Sequence, residues 1–236
     1  MISVIIPVYN CTEFLESALA SVQEQEFSDR EVLLIDDGSP ACLQPPPGIH
    51  YIRQPHLGVS VARNRGIRES HGEFLAFLDA DDLWMAGHLT RLHAVLLANP
   101  DAGIAHGCMR QIAEGRISGT YRMPYLQSCL FRRSVFEICG GFDETMNLGE
   151  DYDLMYRCWE RDILKINLPD VSFLYRRHSG NTTRGQNVRA QAMLMQRRIA
   201  RIRSGELDPA QPRRFLFRDY IGHIEGANQW TAWSAS

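Results

Sequence analysis

Hydrophobic residues in the first two thirds of the chain form short apolar runs that alternate with segments of helical periodicity. Residues 3–8 and 74–78 are apolar runs typical of strands buried on both faces of a parallel sheet. Between them, Leu15, Leu19 and Val22 fall on one helical face. The predicted strands are 3–8, 31–35, 49–53, 74–78, 102–112, 126–131, 163–168 and 171–176, and further helices are predicted at 59–70, 85–99 and 150–161. This alternation predicts an α/β fold with a parallel, doubly wound sheet.

Local signals refine the ends of these elements. Asn10 and Glu13 match a capping box at the start of the first helix. Pro40 and the prolines at 45–47 leave little room for a long helix between the second and third strands. The usual strand–helix rhythm is therefore shortened at this point.

The C-terminal segment has a different pattern. Two basic amphipathic helices are predicted at 189–203 and 213–224. One interpretation is a helix pair that covers one edge of the sheet. The other is peripheral contact with an anionic membrane surface, close to a lipid-linked acceptor. We accordingly divide the chain into a domain at 1–185 and a helical extension at 186–236.

Composition limits the class of protein. The 236 residues are 44% hydrophobic and 22% charged, which is enough for one full core. The net charge of −3 gives no general reason to expect a nucleic acid partner, and nothing in the pattern predicts a particular oligomeric state. No apolar run approaches the roughly 20 residues that span a bilayer, and the N-terminus has no basic signal-peptide segment. We therefore expect a cytoplasmic protein, either free or at the inner face of the membrane.

The six cysteines are scattered and form no C-x-x-C pair. This spacing argues against a zinc site or a disulfide framework, and we expect reduced, mostly buried thiols.

Three acidic residues, Asp79, Asp81 and Asp82, follow the apolar run at 74–78 directly. Ligands of open α/β sheets gather at the carboxyl ends of the strands. Asp79 and Asp81 could both reach one hard divalent cation, Mn²⁺ or Mg²⁺, with a diphosphate as its other ligand. The alternative is an acidic turn in which Asp82 caps a following helix. From these residues alone, both interpretations stay open.

Glycine-rich phosphate loops are absent from the sequence. The first strand-to-helix turn has no G-x-G-x-x-G, and no G-x-x-x-x-G-K-[ST] occurs anywhere. This argues against a dinucleotide-binding dehydrogenase and favours a metal for phosphate binding.

An ordered set of motifs makes the chain similar to a known family. The motifs are SVIIPVYN at 3–10, DDGS at 36–39, ARNRG at 62–66, FLDADD at 77–82, GGFDE at 140–144, GEDYDL at 149–154 and YRRH at 175–178. Together they resemble the family 2 glycosyltransferases, inverting enzymes with the GT-A fold, over about residues 1–185. The resemblance implies a Rossmann-like, mostly parallel central sheet flanked by helices, here with a C-terminal helical appendage. It also implies sugar transfer from a nucleotide-diphosphate donor, with UDP as the expected nucleotide, to a hydroxyl of a glycan, a lipid-linked molecule or another acceptor.

The same resemblance assigns residues to the nucleotide. Asp37 would accept a hydrogen bond from a uracil imide, although Asp and Gly in DDGS also suit a plain strand-ending turn. Arg63 would lie beside the base or diphosphate, with a solvated helix arginine as the alternative. The nucleotide-binding residues implied are Pro7, Val8, Tyr9, Asp37, Arg63, Asp79 and Ala80.

The metal set implied by the resemblance is Asp79 and Asp81 of the D-x-D motif, together with His178, because a histidine follows this late strand in many relatives. Asp79 would touch the ribose and the metal, and Asp81 would bind the cation directly. His178 would complete the shell, and imidazole accepts Mn²⁺ more readily than Mg²⁺. Arg184 would neutralise the leaving diphosphate.

Asp151 is the expected catalytic residue. A carboxylate at a helix N-terminus is electrostatically stabilised, and this alone could explain its presence. In the family's E-D motif the aspartate is instead the general base that deprotonates the acceptor hydroxyl. Glu150, Gly141 and Phe142 are expected to form the acceptor pocket.

Two other classes remain open at this stage. A sugar-nucleotide pyrophosphorylase shares the sheet and the metal, but it usually carries a glycine-rich basic loop after the first strand. A catalytically silent sugar-nucleotide-binding module is disfavoured because the metal acids and Asp151 are both present.

Overall fold

A sheet of ten strands forms the centre of the part of the protein that the computed structural model describes, which is residues 1–146, 148–181, 187–217, 220, 222 and 229–232. The strands are β1 Ile2–Val8, β2 Arg30–Asp36, β3 His50–Arg53, β4 Phe74–Phe77, β5 Leu83–Trp84, β6 Ala102–Ala113, β7 Arg116–Ser118, β8 Cys129–Arg132, β9 Leu164–Arg176 and β10 Trp230–Ala232. The helices are α1 Thr12–Gln23, α2 Val59–Glu69, α3 His88–Ala98, α4 Arg133–Cys139, α5 Glu150–Glu160 and α6 Asn187–Arg203, with a 3-10 turn at Leu126–Ser128.

The strand order places a binding crevice beside β1. The sheet runs β10-β7-β6-β8-β4-β1-β2-β3, and β9 pairs with β6 and β5. β1 is parallel to both β2 and β4, and β3 is parallel to β2. The chain order reverses at β1, which is the topological switch point where α/β sheets bind ligands. β8 is antiparallel to β4 and β6, so the predicted parallel sheet is confirmed in the half that carries β1.

β1 separates two apolar cores. Val4 and Ile6 belong to the cluster on one face, whereas Ile5 belongs to the cluster on the other. All seven residues of β1 are buried, as expected for a strand covered by helices on both faces. Val8 is paired with Asp36 on β2, which brings the carboxyl ends of these two strands level.

Several predicted boundaries were wrong. The segments 163–168 and 171–176 form one strand, β9, because register shifts against β6 accommodate the region around Pro169. Residues 126–128 form the 3-10 turn, and β8 begins at Cys129. The capping box is not formed: Asn10 has a φ of 49°, and α1 begins after Cys11 without a side-chain cap.

The proposed cap at Asp82 is also corrected. Residues 83–84 form β5, which pairs with β9, and the next helix begins only at His88. Asp82 is buried, and its Oδ1 accepts the backbone N–H of Arg176 at 2.8 Å. The side chain therefore joins two strands and does not cap a helix.

Helix α6 confirms the predicted element at 189–203, and its arginines contact the rest of the protein. Arg198 and Arg201 each approach a carboxylate oxygen of Glu160 at 2.6 Å, and Arg197 pairs with Asp143. The helix predicted at 213–224 does not begin at Arg213, because residues 213–216 are not helical, and residues 218, 219, 221, 223 and 224 lie outside the described residues. None of the helices that the structure describes has the length and apolar character needed to cross a membrane.

Candidate active site

A cleft of about 1100 Å³ opens at the carboxyl ends of β1 and β4. Its lining includes these residues predicted from the sequence: Pro7, Val8, Tyr9, Asp37, Arg63, Asp79, Ala80, Asp81, Glu150, Asp151 and His178. Arg184 lies outside the described residues. The switch-point topology thus brings the predicted nucleotide, metal and base residues to one cavity.

Asp37 organises the loop that leads into α2. Its Oδ1 accepts the side chain of Gln54 at 2.7 Å and the N–H of Leu57 at 2.9 Å. Its Oδ2 accepts the N–H of Gly58 at 2.8 Å and lies 2.8 Å from Nδ1 of His56. Gly38 follows with a φ of 81°, a left-handed turn that favours glycine. Asp37 is therefore a buried anchor of the cleft wall.

An aromatic pair stands beside this anchor. The rings of Tyr9 and His56 stack with centroids 3.8 Å apart and an angle of 16° between their planes. Tyr9 remains 47% exposed at the cleft. A flat ring in this position offers a stacking surface for a nucleobase.

Arg63 connects the acids of two motifs. It is buried, and its guanidinium donates to Asp79 Oδ1 and to Glu150 Oε1, each at 2.7 Å. Burial alone would lower the pKa of Arg63, but the charges of Asp79 and Glu150 raise it above its usual value. The planar guanidinium can bridge two carboxylates in this way, whereas a lysine ammonium is a point charge. Arg63 is therefore a buried ion-pair residue, not a solvated helix arginine.

The predicted metal acids lie close together. Asp79, Asp81 and Asp82 offer carboxylate oxygens within 4.8 Å of one another. Asp81 Oδ2 lies 3.0 Å from Nε2 of His178 and 3.3 Å from the Asn181 amide nitrogen. Burial first, and then the charge of Asp79, raises the pKa of Asp81.

Asp81 Oδ2 and His178 Nε2 lie at hydrogen-bond distance, 3.0 Å, and this is also about the separation of two ligands that share a cation. Ligands about 2.1 Å from an octahedral ion lie about 3.0 Å apart when they are neighbours. Nδ1 of His178 receives the N–H of Gly180 at 3.1 Å. Coordination through Nε2 requires the ring proton on Nδ1, so the Gly180 contact has to open when a cation binds.

Asp151 lies in the first turn of α5. Gly149 precedes the helix with a φ of 78°, which turns the chain so that Glu150 and Asp151 enter the cleft. Asp151 Oδ1 accepts the N–H of Tyr152 at 2.8 Å. Burial and the neighbouring Glu150 raise the pKa of Asp151 to about 7, against the lowering effect of Arg63. A carboxylate with this pKa can accept a proton near neutral pH.

A model of one protein family matches residues 3–149 and carries the description "Glycosyl transferase family 2". The chain belongs to glycosyl transferase family 2.

Relatives and solved structures agree with this membership. The chain is 26% identical over 220 residues to the glycosyltransferase EpsJ of Bacillus subtilis, covering 78% of this chain and 63% of the relative. It is 28% identical over 183 residues to a PGL/p-HBAD biosynthesis glycosyltransferase of Mycobacterium bovis, covering 70% of this chain and 72% of the relative. The chain thus spans less than two thirds of the first relative's length.

The fold resembles two solved structures. One is the mannosyltransferase PcManGT from Pyrobaculum calidifontis in complex with GDP-Man and Mn²⁺, with a TM-score of 0.68, 20% identity, and 89% and 65% of the two chains covered. The other is S. aureus TarS 1-349 in complex with UDP-GlcNAc, with a TM-score of 0.65, 16% identity, and 82% and 65% covered. These likenesses confirm the predicted GT-A fold.

In this family 2 protein one of the three residues predicted for the acceptor pocket, Glu150, lines the cleft as the described residues define it, whereas Gly141 and Phe142 do not. Phe142 is buried against Phe77, and the Arg63 guanidinium lies 5.5 Å from the centre of its ring. The Phe142 N–H and carbonyl both bond to the side chain of Asn64 at 2.8 Å. Phe142 thus packs against Arg63, and Gly141 lies against the side chain of Asn64.

Sequence reasoning missed several residues of the cleft. Gln127 is buried, donates to Asp79 Oδ2, and has an Oε1 without a partner among the described residues. The amide nitrogen must face the carboxylate, because the reverse orientation would oppose two oxygens. Tyr125 and Tyr175 also line the cleft. No local motif marks these three, since only the packing of distant segments brings them here.

Proposed function

We propose that this family 2 protein is a metal-dependent inverting glycosyltransferase that moves a sugar from a nucleotide-diphosphate donor, UDP-sugar first, to an acceptor hydroxyl in glycan or polysaccharide biosynthesis. One observation carries the proposal. The same cleft holds two groups that can bind a cation, the Asp81 carboxylate and the His178 imidazole 3.0 Å apart, and a carboxylate with a pKa of about 7, Asp151. Metal-assisted departure of a diphosphate and deprotonation of a hydroxyl need these two sites together.

The donor end is supported by the residues around β1. Tyr9 offers an exposed ring for the base, and the backbone at Pro7 and Val8 follows the strand into the cleft. Asp37 forms the cleft wall behind these residues. Its carboxylate already accepts N–H groups of the loop before α2, so a uracil imide would have to share that carboxylate with them. Fold neighbours bound to UDP-GlcNAc and to GDP-Man support a nucleotide-sugar in this position.

The metal end is formed by the D-x-D acids. Asp81 and His178 would hold Mn²⁺ or Mg²⁺, which would neutralise the charge of the departing diphosphate. Asp79 lines the cleft and is held by Arg63 and Gln127, and each of its oxygens keeps acceptor capacity for the ribose or the cation. Arg184 lies outside the described residues, and its role at the diphosphate stays a prediction.

The acceptor end is formed around Asp151. Asp151 takes the proton of the acceptor hydroxyl as its oxygen attacks the anomeric carbon from the face opposite the diphosphate. A single displacement of this kind inverts the anomeric centre. Positioning of the two reactants and base catalysis together supply the rate.

The direct test is a panel of nucleotide-sugars incubated with the protein and Mn²⁺, followed by detection of the released nucleoside diphosphate. Slow hydrolysis of one donor is expected without any acceptor. Release of pyrophosphate would indicate a pyrophosphorylase instead. Binding of a donor without turnover would indicate a silent binding module.

The pH dependence of transfer should show one limb near neutrality. Since the pKa of Asp151 is raised to about 7 and the base acts when ionised, kcat/KM is expected to fall as the pH drops below about 7. Initial rates from pH 5 to 9 at saturating Mn²⁺ measure this limb. A flat profile down to pH 5 would remove Asp151 as the base.

Replacement of His178, one of the two proposed metal ligands, should weaken metal binding. We expect His178→Ala to weaken Mn²⁺ binding in the presence of UDP by a factor of about 10 to 100. Titration calorimetry measures this affinity. His71→Ala is the matched control, because His71 is an exposed histidine that contacts Glu31 outside the cleft. Equal Mn²⁺ affinity in parent and His178→Ala would place the cation elsewhere.

A further inference from the structure

Asn181 lines the cleft three residues after His178, outside the set of proposed nucleotide, metal and base residues. Its half-buried side chain makes four polar contacts, one with Arg176, two with His178 and one with Asp81. The side chain is therefore turned toward the proposed cation site.

The turn at 178–181 is closed by hydrogen bonds between its first and last residues. The Asn181 N–H donates to the His178 carbonyl at 3.3 Å, which is the ordinary bond of a β-turn. The Asn181 side chain adds a second bond, because its Oδ1 accepts the His178 N–H at 2.7 Å. The backbone of His178 is thus held at both its N–H and its carbonyl.

The amide nitrogen of Asn181 joins this turn to the two strands that lead to the cleft. Nδ2 donates to the carbonyl of Arg176, the last residue of β9, at 3.1 Å. It also donates to Oδ2 of Asp81, which follows β4, at 3.3 Å. An amide nitrogen carries two hydrogens, so both bonds can form at once. One side chain therefore connects the His178 turn, the end of β9 and the D-x-D motif.

These partners fix the direction in which the Asn181 amide points. If its nitrogen and oxygen exchanged places, the oxygen would face the Arg176 carbonyl and the nitrogen would face the His178 N–H. Two acceptors and two donors would then oppose each other. In the observed orientation the oxygen is used by the His178 backbone, and N–H groups face Asp81. Asn181 is thus placed to orient cation ligands and not to be one of them.

The other contacts of the His178 imidazole fix it less well. The Phe14 ring packs against it with centroids 4.8 Å apart and an angle of 44°, a contact that does not select which ring nitrogen faces Asp81. The Gly180 N–H on Nδ1 has to move away when a cation binds to Nε2. The bonds of Asn181 to the His178 backbone can remain in place with the cation bound.

We propose that Asn181 is a positioning residue of the cation site, which holds the His178 imidazole and the Asp81 carboxylate at the separation that one cation can bridge. This rests on the proposed function and adds a residue to its metal site. Oδ2 of Asp81 and Nε2 of His178 lie 3.0 Å apart, and Nδ2 of Asn181 lies 3.3 Å and 3.2 Å from them. Side chains that orient metal ligands through hydrogen bonds typically contribute a factor of about 10 to 100 to metal affinity.

The test measures Mn²⁺ binding by Asn181→Leu, which removes the amide and keeps a side chain of similar size. Titration calorimetry in the presence of UDP is expected to show an affinity about 10-fold below that of the parent. The affinity for UDP without Mn²⁺ should stay within about twofold, because Asn181 acts on the cation ligands and not on the nucleotide. Asn99→Leu is the matched control, because the Asn99 amide also donates to a backbone carbonyl, at 2.8 Å, but is exposed and outside the cleft.

A double-mutant cycle separates positioning of His178 from a general effect on the fold. Asn181→Leu should cost about 10-fold in Mn²⁺ affinity in the parent, but less than about 3-fold in the His178→Ala background, where no imidazole is left to position. The smaller loss that remains measures the bond from Asn181 to Asp81. A residue that only stabilises the fold would not lose its effect when His178 is removed.

Three results would overturn the inference. The first is a parent-like Mn²⁺ affinity in Asn181→Leu, whatever its Tm, because Asn181 would then only close a turn. The second is an equal loss of Mn²⁺ affinity with and without His178. The third is a comparable loss of UDP affinity in the absence of Mn²⁺, which would make Asn181 a nucleotide contact. Failure of the proposed function looks different, because the parent itself would then bind no Mn²⁺ in the presence of UDP and hydrolyse no donor.

Discussion

Asp151→Asn is expected to lower the rate of glycosyl transfer by a factor of about 10² to 10⁴, while the affinity for donor and Mn²⁺ stays close to that of the parent. The amide keeps the shape of the side chain but cannot accept the acceptor's proton. Single-turnover transfer and calorimetric UDP–Mn²⁺ binding measure the two quantities. Full activity of Asp151→Asn would contradict the base assignment.

The matched control is Asp153→Asn on the same helix. Asp153 pairs with Arg157 at 2.7 Å and is not part of the cleft lining. Its replacement removes a carboxylate of the same size one residue beyond Tyr152. Because Asp153 and Arg157 are largely buried, Asp153→Asn should lower the Tm, whereas the activity of the folded variant should stay within a few-fold of the parent. An equal loss in both variants would indicate damage to α5 instead of loss of a base.

Asp151→Asn should also change how stability depends on pH. The folded-state pKa of Asp151 is raised above its unfolded value, so ionisation of Asp151 favours the unfolded chain as the pH rises from about 4 to about 7. The variant lacks this penalty and should gain thermal stability relative to the parent above pH 7, but not at pH 4. A stabilised, inactive variant would fit a functional site in which stability is given up for catalysis.

Arg63→Met is expected to destabilise the protein by about 3–5 kcal/mol, which corresponds to a fall in Tm of roughly 10 °C. The reason is that Asp79 and Glu150 lose their shared cation while they remain in the cleft wall. Activity should also fall, because Asp79 loses the contact that orients it. Arg63 lowers the pKa of Asp151, so the neutral limb of any residual activity should move to higher pH.

Two variants control for this effect. Arg63→Lys keeps the charge but cannot reach both carboxylates with a planar fork, so it should be intermediate in Tm. Arg68→Met removes an exposed arginine of the same helix, which approaches Glu144 only at 3.9 Å, and it should change Tm little. A parent-like Tm for Arg63→Met would show that the bridge contributes nothing to stability.

Much of the donor half of the site follows from local sequence. Asp37 and Asp79 come directly after buried apolar strands, and parallel strands necessarily end at one edge of the sheet. The sequence could therefore place these acids together without any coordinates. The wrong predictions are those in which a local capping signal conflicted with the pairing of strands from distant segments. Asn10 and Asp82 look like helix caps, but β5 pairs with β9 and removes the helix that Asp82 would have capped.

By itself, the sequence determined the α/β class, the order of the family 2 motifs and the edge of the sheet at which the acids lie, because each depends on neighbouring residues or on strand direction. Only the tertiary structure decided how those acids are used. In the structure, Arg63 binds both Asp79 and Glu150. Phe142, which was expected in the acceptor pocket, is buried in the core, and Tyr125 stacks on Tyr175. These contacts link residues far apart in the chain, whose meeting depends on packing and leaves no periodic or local pattern.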